Sequence, residues 1–305
     1  MNAAARAASP LGLSRTLRHG KLAFTAWEQG TGPLVLCLHG FPDHPRSFRF
    51  QLPALADAGF QALAPTMRGY EPSSQPADGD YQLLRLASDV IAWLDELGVE
   101  RCHLVGHDWG AVVGHLVAAE APERLHSLTT MAVPHPGRIL RDLLRTRPSQ
   151  LTRSWYMLFF QLRGVAEYAL ERGNWALLDW LWRSWSPDYV LPSEERGALK
   201  QTFAQPGVKS AALAYYRALA DQRSEAARET RRLLSRPIRV RTLALSGAHD
   251  GCMDTRLYDE LMHDADFPAG LRVTRIEAAG HFFHQEQPAE VNRLLLDWLR
   301  CTTPD

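Results

Sequence analysis

Gly106-His107-Asp108-Trp109-Gly110 follows the apolar-leaning run Cys102-His103-Leu104-Val105 and leads into Ala111-Val112-Val113-Gly114-His115-Leu116-Val117-Ala118-Ala119. A buried strand that breaks into a helix through Gly-x-nucleophile-x-Gly makes a sharp elbow. Close packing there leaves room only for glycine beside a strained, exposed central residue. Here the central residue is aspartate rather than serine. A serine needs a base to take its proton before it attacks, whereas a carboxylate with an ordinary pKa near ~3.9 is already an anion at neutral pH. Asp108 is therefore the candidate nucleophile, able to attack a saturated carbon directly. Taken alone, the pentapeptide also describes a plain turn whose aspartate caps the helix, and the rest of the chain decides between the two.

The 305 residues can bury a substantial core, as one large domain with an insertion or as two smaller domains. Lys and Arg total 34, balancing 34 Asp and Glu. No basic block points to nucleic acid or an acidic membrane surface. Cys37 and Cys102 lie in apolar strand-like runs, while Cys252 and Cys301 stand alone, with no C-x-x-C pair. That usage suits reduced thiols in the cytoplasm. No apolar run is long enough to span a bilayer, and Arg6 falls where a secretory signal needs its apolar core. Glu28 is the first acidic residue, as in a transit peptide, but residues 11–17 already read as the approach to a strand. About the first ten residues are read as a loose tail.

Working outward, Leu22-Ala23-Phe24-Thr25-Ala26-Trp27 and Pro33-Leu34-Val35-Leu36-Cys37-Leu38 read as strands, followed by a helix over 46–58 and a strand over 61–64. Apolar spacing of three and four predicts a helix over 81–97, and residues 101–105 return to strand before the elbow. Such alternation predicts an α/β protein with a mostly parallel sheet covered on both faces. After Leu128-Thr129-Thr130-Met131-Ala132-Val133 the pattern stops. Residues 136–236 read as helical and rich in Trp, and strand grammar resumes at Ile238-Arg239-Val240-Arg241-Thr242-Leu243-Ala244-Leu245. The core then spans 11–135 and 237–305, with 136–236 inserted as a helical lid over the carboxyl ends of the strands, where open α/β sheets bind ligands. A helix around Leu257, a strand over 271–276 and a helix over 288–299 complete the chain.

Partners for Asp108 occur in loops after later strands: Gly247-Ala248-His249-Asp250-Gly251 and Gly280-His281-Phe282-Phe283-His284. The chain order Asp108, Asp250, His281 is nucleophile, acid, histidine. Pro134-His135-Pro136 offers no acid, so Asp250 takes that role over nearby Asp254. His103 and His107 do not form a metal pair, since strand residues four apart are separated by roughly 13 Å. His281 and His284 could lie close, but no third ligand with zinc-like spacing is apparent. No metal and no cofactor are expected.

These residues resemble the α/β-hydrolase superfamily, and within it the epoxide hydrolases and their haloalkane dehalogenase relatives, over nearly the whole chain after the tail. In similar enzymes the loop corresponding to His39-Gly40-Phe41-Pro42 brings the backbone N–H of Phe41 opposite that of Trp109, and the two form an oxyanion hole. The resemblance makes the Phe41-Pro42 bond a candidate for cis geometry and sets His39, Pro42, His107 and Trp109 around the substrate pocket. Tyr156-Met157-Leu158-Phe159-Phe160-Gln161 and Tyr215-Tyr216-Arg217 look like the two cap segments that present tyrosine hydroxyls to an epoxide oxygen. That pattern selects Tyr156 and Tyr216. Tyr215 is the competitor, because neighbours on a helix point about 100° apart and only one of the two faces a given cavity.

The resemblance implies hydrolysis of a small hydrophobic epoxide by water to a diol, through an ester on Asp108, with His281 oriented by Asp250 to activate the water. The loop Pro65-Thr66-Met67-Arg68-Gly69-Tyr70-Glu71 departs from the family wording at Thr66, where aspartate is common, and at Glu71, where glycine is common; His249-Asp250-Gly251 also differs from the usual acid loop. The nearest alternative is a haloalkane or haloacid dehalogenase with the same triad. Phe41 in place of asparagine and the two lid tyrosines favour the epoxide. A noncatalytic ligand-binding homologue is disfavoured by the whole triad, and a serine esterase by the absence of serine at the elbow. Oligomeric state is not legible.

Overall fold

The computed structural model describes residues 11–303, and the expected loose tail lies outside the described residues. Eight strands are β1 Leu13–His19, β2 Leu22–Gln29, β3 Leu34–Leu38, β4 Gln61–Pro65, β5 Cys102–His107, β6 Leu125–Met131, β7 Thr242–Gly247 and β8 Leu271–Ile276. They form one sheet in the order β1-β2-β4-β3-β5-β6-β7-β8. From β4 across to β8 every pairing is parallel. At the β1 edge the pairs β1–β2 and β2–β4 are antiparallel. The first is a hairpin whose closing pair is His19 with Leu22 across Gly20-Lys21, and Gly20 takes φ +58°, which glycine adopts without penalty. Central β3, β5 and β7 are buried at every residue. Covered on both faces, such strands read as unbroken apolar runs.

Between the strands lie α1 Gln51–Asp57, α2 Leu83–Leu97 and α3 Trp109–Glu120. The helix expected over 46–58 is divided into a 3-10 turn at Pro45–Phe48 and α1. Pro53 lacks an N–H and its ring clashes with a carbonyl one turn back, so it fits only the first turn of a helix. Between β6 and β7 the chain runs through seven helices: α4 Pro136–Thr146, α5 Gln150–Arg153, α6 Trp155–Phe159, α7 Val165–Trp185, α8 Ser193–Ala204, α9 Val208–Ala220 and α10 Glu225–Leu234. α7 is interrupted at Arg172, Gly173, Asn174 and Trp175, the last three in the left-handed region. After β7 come α11 Arg256–Leu261, α12 Phe283–Glu286 and α13 Pro288–Thr302.

The strand expected over 238–245 begins only at Thr242. Ile238 and Val240 are buried as a strand pattern demands, yet β7 pairs with β6 and β8 from Thr242 onward, so the residues before it have no ladder partner. Ile238 N–H instead donates to the Asp266 carbonyl at 2.7 Å.

One face of the sheet is packed by α2, α3 and the inserted helices, around Trp93, Leu104, Leu116, Phe203 and Tyr215. The other is packed around Phe48 of the 3-10 turn and Leu52, Leu243, Leu295 and Trp298 of α1, β7 and α13. Arg68 makes a two-pronged bond to Asp89, Nε to Oδ2 at 2.7 Å and Nη2 to Oδ1 at 2.6 Å, and both groups are buried. The pair fastens the loop after β4 to α2. The unusual Glu71 has a partner in the same region, since its carboxylate accepts from Thr25 N–H at 2.6 Å and Thr25 Oγ1 at 2.9 Å, tying the loop to β2.

Candidate active site

Asp108 joins β5 to α3 with φ +50° and ψ −116°, a strained conformation for any residue but glycine. Its neighbours explain why the strain persists. A Cβ on Gly106 would lie 2.2 Å from the Gly110 carbonyl oxygen, and one on Gly110 would lie 2.1 Å from that of Leu38. Strand and helix therefore approach only through glycine, and the turn between them is forced outward. Opposite, a Cβ on Gly40 would lie 2.3 Å from Asp108 Oδ1, so the loop after β3 presses against the carboxylate.

That contact is polar. Phe41 N–H donates to Asp108 Oδ1 at 2.7 Å, and the Phe41–Pro42 bond is cis. Trp109 opens α3, so its backbone N–H belongs to the first turn and has no acceptor within the helix. With Oδ1 held by Phe41, Oδ2 faces His281 Nε2 at 3.7 Å. His281 Nδ1 lies 2.9 Å from Asp250 Oδ2, and Asp250 Oδ1 accepts from Cys252 N–H at 2.7 Å and Met253 N–H at 2.8 Å. A carboxylate holding two backbone donors cannot swing, so the imidazole facing it is oriented. Burial disfavours charge on His281, but Asp250 and Asp108 outweigh it and hold the ring up to about 10. The two carboxylates thus favour the imidazolium form of His281.

The inserted helices reach over this group. Tyr216 on α9 packs edge-on against Trp109, Phe41 and Tyr156 of α6, with centroids 5.0, 5.3 and 5.7 Å apart. Trp185, at the end of α7, lies 5.1 Å from the His281 ring. Burial raises both tyrosines well above their ordinary range. After burial, the nearby charge of Asp108 adds to the rise at Tyr216, while the Tyr156 hydroxyl is 3.3 Å from Cys252 Sγ. Tyr215 turns the other way and donates to the Arg68 carbonyl at 2.6 Å. Of the two adjacent tyrosines, Tyr216 is the one over Asp108.

His39 and His107 are wholly buried framework. His39 Nδ1 lies 3.0 Å from the Gly40 carbonyl and Nε2 accepts from Met67 N–H at 3.0 Å. His107 Nε2 donates to the His281 carbonyl at 2.9 Å, and its ring packs 4.3 Å from that of His284. The Pro42 carbonyl accepts from Trp182 Nε1 at 2.9 Å. His284 is directed to Ser47 Oγ and stands with Asp43 and His107 in one buried group. Asp250, Cys252 and His281 form another, their ligand atoms all within 4.8 Å of one another. Both groups join separate segments, and spacing along the chain gave no sign of either.

Reading the residues also passed over the end of α7. The Trp185 carbonyl accepts from Gly251 N–H at 3.0 Å and from His281 N–H at 2.9 Å. Ser186 Oγ donates to Glu286 Oε1 at 2.6 Å and accepts from Phe282 N–H at 3.1 Å, and Glu286 Oε2 accepts from Gly280 N–H at 2.8 Å. Trp182 stacks on Phe282 at 3.4 Å. One helix end thus binds the acid loop, the histidine loop and the Phe41 loop together.

Residues 33–288 match the alpha/beta hydrolase fold family. The AB hydrolase superfamily protein YfhM of Bacillus subtilis is 31% identical over 270 residues, covering 88% of this chain and 91% of that one. Epoxide hydrolase 4 of Mus musculus is 31% identical, covering 91% and 76%. Among solved structures, the epoxide hydrolase of Bacillus megaterium in complex with an inhibitor superposes with a TM-score of 0.81 at 28% identity, covering 94% and 100%. Epoxide hydrolase A of Mycobacterium thermoresistibile gives 0.79 at 29% identity, covering 96% and 99%.

Proposed function

The chain belongs to the alpha/beta hydrolase fold family, on its epoxide hydrolase branch, and is a hydrolase; from that premise we propose that it converts a hydrophobic epoxide to a vicinal diol through an ester on Asp108. The observation that carries this reading is the division of labour around one carboxylate. Oδ1 is bound by the Phe41 N–H, Oδ2 faces the site and His281, and two tyrosines close over it. Oδ2 attacks a ring carbon and the carbon–oxygen bond breaks. The ring oxygen leaves as an alkoxide, which takes a proton from Tyr216 or Tyr156. Esterification removes the charge of Asp108, and with it part of what held His281 protonated; the ring passes that proton to the tyrosinate, which restores the tyrosine and leaves a neutral imidazole able to act as a base. His281 then takes a proton from water, and hydroxide adds to the Asp108 carbonyl carbon. The Phe41 and Trp109 N–H groups hold the tetrahedral oxyanion until it collapses and frees the diol. His39, Pro42 and His107 brace these groups, and residues 136–236 act as the lid.

The apolar insertion suits a hydrophobic substrate, and four free cysteines, three of them buried, suit a reducing cytoplasm. Among the described residues no helix is long and apolar enough to cross a membrane. A single turnover in oxygen-18 water tests the mechanism. The label is expected first in the Asp108 carboxylate and not in the diol, because water attacks the ester carbonyl. Label in the diol from the first turnover means that water opens the ring directly. Halide release from haloalkanes with no diol from any epoxide transfers the same carboxylate and histidine to dehalogenation.

A further inference from the structure

Cys252 is a buried thiol that the proposed hydrolysis does not use. Its backbone N–H is bound to Asp250 Oδ1, and its side chain points to the same place as the acid and the histidine. Sγ, an Asp250 carboxylate oxygen and a His281 ring nitrogen lie within 4.8 Å of one another, all on buried residues. Thiolate, imidazole and carboxylate are the donors that bind zinc and its heavier congener cadmium. Bonds of about 2.0–2.3 Å to a tetrahedral ion set its ligands roughly 3.5 Å apart. Asp250 Oδ2 and His281 Nδ1, 2.9 Å apart, would open slightly to admit the ion, and Cys252 Sγ, no more than 4.8 Å from its partners, would close on it by at most about 1 Å. The geometry points to a thiophilic divalent cation bound by Asp250, Cys252 and His281 as an off switch for the enzyme.

The step is ligand exchange without redox change. Metal–sulfur, metal–nitrogen and metal–oxygen bonds form. The thiol proton and the His281 Nδ1 proton, the one shared with Asp250, pass to solvent, while Nε2 keeps its proton toward Asp108. The field of Asp250 and Asp108 that holds a proton on the imidazole also favours a dication. The Tyr156 hydroxyl, 3.3 Å from Sγ, is in reach of the coordinated sulfur. With Nδ1 on the metal, Asp250 no longer orients the ring, His281 loses its acceptor pairing, and activation of water stops.

This site rests on the proposed roles of Asp250 and His281, but binding is read without any epoxide. In full-length protein carrying Cys301→Ser, which removes the exposed thiol, cadmium is expected to give a thiolate-to-metal charge-transfer band at one equivalent, with release of two protons. Zinc is expected to inhibit epoxide turnover reversibly, chelator restoring it. Adding Cys252→Ser leaves the proposed catalytic groups in place and is expected to abolish the band and weaken zinc inhibition at least tenfold. No band in the Cys301→Ser protein, or equal zinc sensitivity with and without Cys252, overturns the site. A band and proton release in a protein that hydrolyses no epoxide keeps the site and overturns the hydrolase roles instead.

Discussion

The two tyrosines over Asp108 are not equivalent. Tyr216 packs edge-on against Trp109 and lies near enough to Asp108 to feel its charge. Tyr156 shares its hydroxyl with Cys252. Tyr216→Phe is therefore expected to slow ring opening by roughly a hundredfold or more, the loss of an oxyanion donor being about 2.7–4 kcal/mol. Tyr156→Phe should cost less, and the double variant less than the sum, since both act on one oxygen. Equal effects in pre-steady-state ring opening would remove the asymmetry. His281→Gln is expected to form the ester and stall, so that mass spectrometry of the quenched protein finds the substrate's mass added; Asp250→Asn should slow the same step. At this scale the sequence was most legible where chemistry sits in a local motif. Asp108, His281 and Asp250 follow strand ends and are flanked by glycines, and each is found where those loops meet. Tyr216 against Tyr215 was not legible, because a choice of one position on a helix turns on its rotation, which packing sets. Cys252 carried no signal, because its significance is the company of Asp250 and His281, and that exists only after folding.

The element that organises the site is α7. Its last turn and the residue after it supply the Trp185 carbonyl to the acid and histidine loops, the Ser186 hydroxyl to the histidine loop again, and the Trp182 indole to Pro42 of the Phe41 loop. Ser186→Ala removes an acceptor from Phe282 N–H and a donor from Glu286, leaving buried groups unpaired at a loss of about 1–3 kcal/mol. Because those groups position the loop of His281 and not Asp108, ester hydrolysis should slow by about tenfold while ring opening stays within a factor of two. The ratio of ester to free protein in the steady state would then rise. A drop in melting temperature with no change in that ratio would reduce Ser186 to a structural role. The trace of this element in the sequence was only its richness in tryptophan, which read as packing. The left-handed turn at Gly173, Asn174 and Trp175 and the late start of β7 were equally hidden, the first because three such residues in a row are rare and the second because a strand needs neighbours as well as a pattern.

For the whole molecule, the buried histidines set the response to acid. Burial lowers His39 and His103 to about 4 and His44 to about 3, so the folded protein keeps them neutral. Below 6.5 the unfolded chain takes up protons at these sites that the folded one refuses, so their contribution to stability is lost as pH falls. From pH 7 to pH 5 that is about 2 kcal/mol for each. Asp43 works the other way. Burial raises it to about 7, so the folded protein binds its proton first and gains stability from that group over the same range. His107, lowered to about 3, adds a loss of the same size, and His115 and His284, held well below 6.5, add to it, so the balance is a loss of about 5 kcal/mol or more, and the melting temperature should fall by roughly 8 °C or more between pH 7 and pH 5. Calorimetry at the two pH values decides it, and a flat profile would mean that these rings are not neutral in the fold. The α/β layering was the most legible property of all, since it follows from alternation summed over many residues. A different consequence lies in the connection between β6 and β7. These strands are neighbours in the sheet, yet seven helices separate them along the chain, with Val190 in that excursion 88% exposed. A polypeptide divided at Val190 leaves Asp108 and Tyr156 on one half and Tyr216, Asp250 and His281 on the other. Neither half can complete a turnover, while the sheet edge and the Trp185 carbonyl supply the seam along which they rejoin. Fused to two proteins that meet only under some condition of interest, the halves would make a complementation reporter whose signal is newly formed diol.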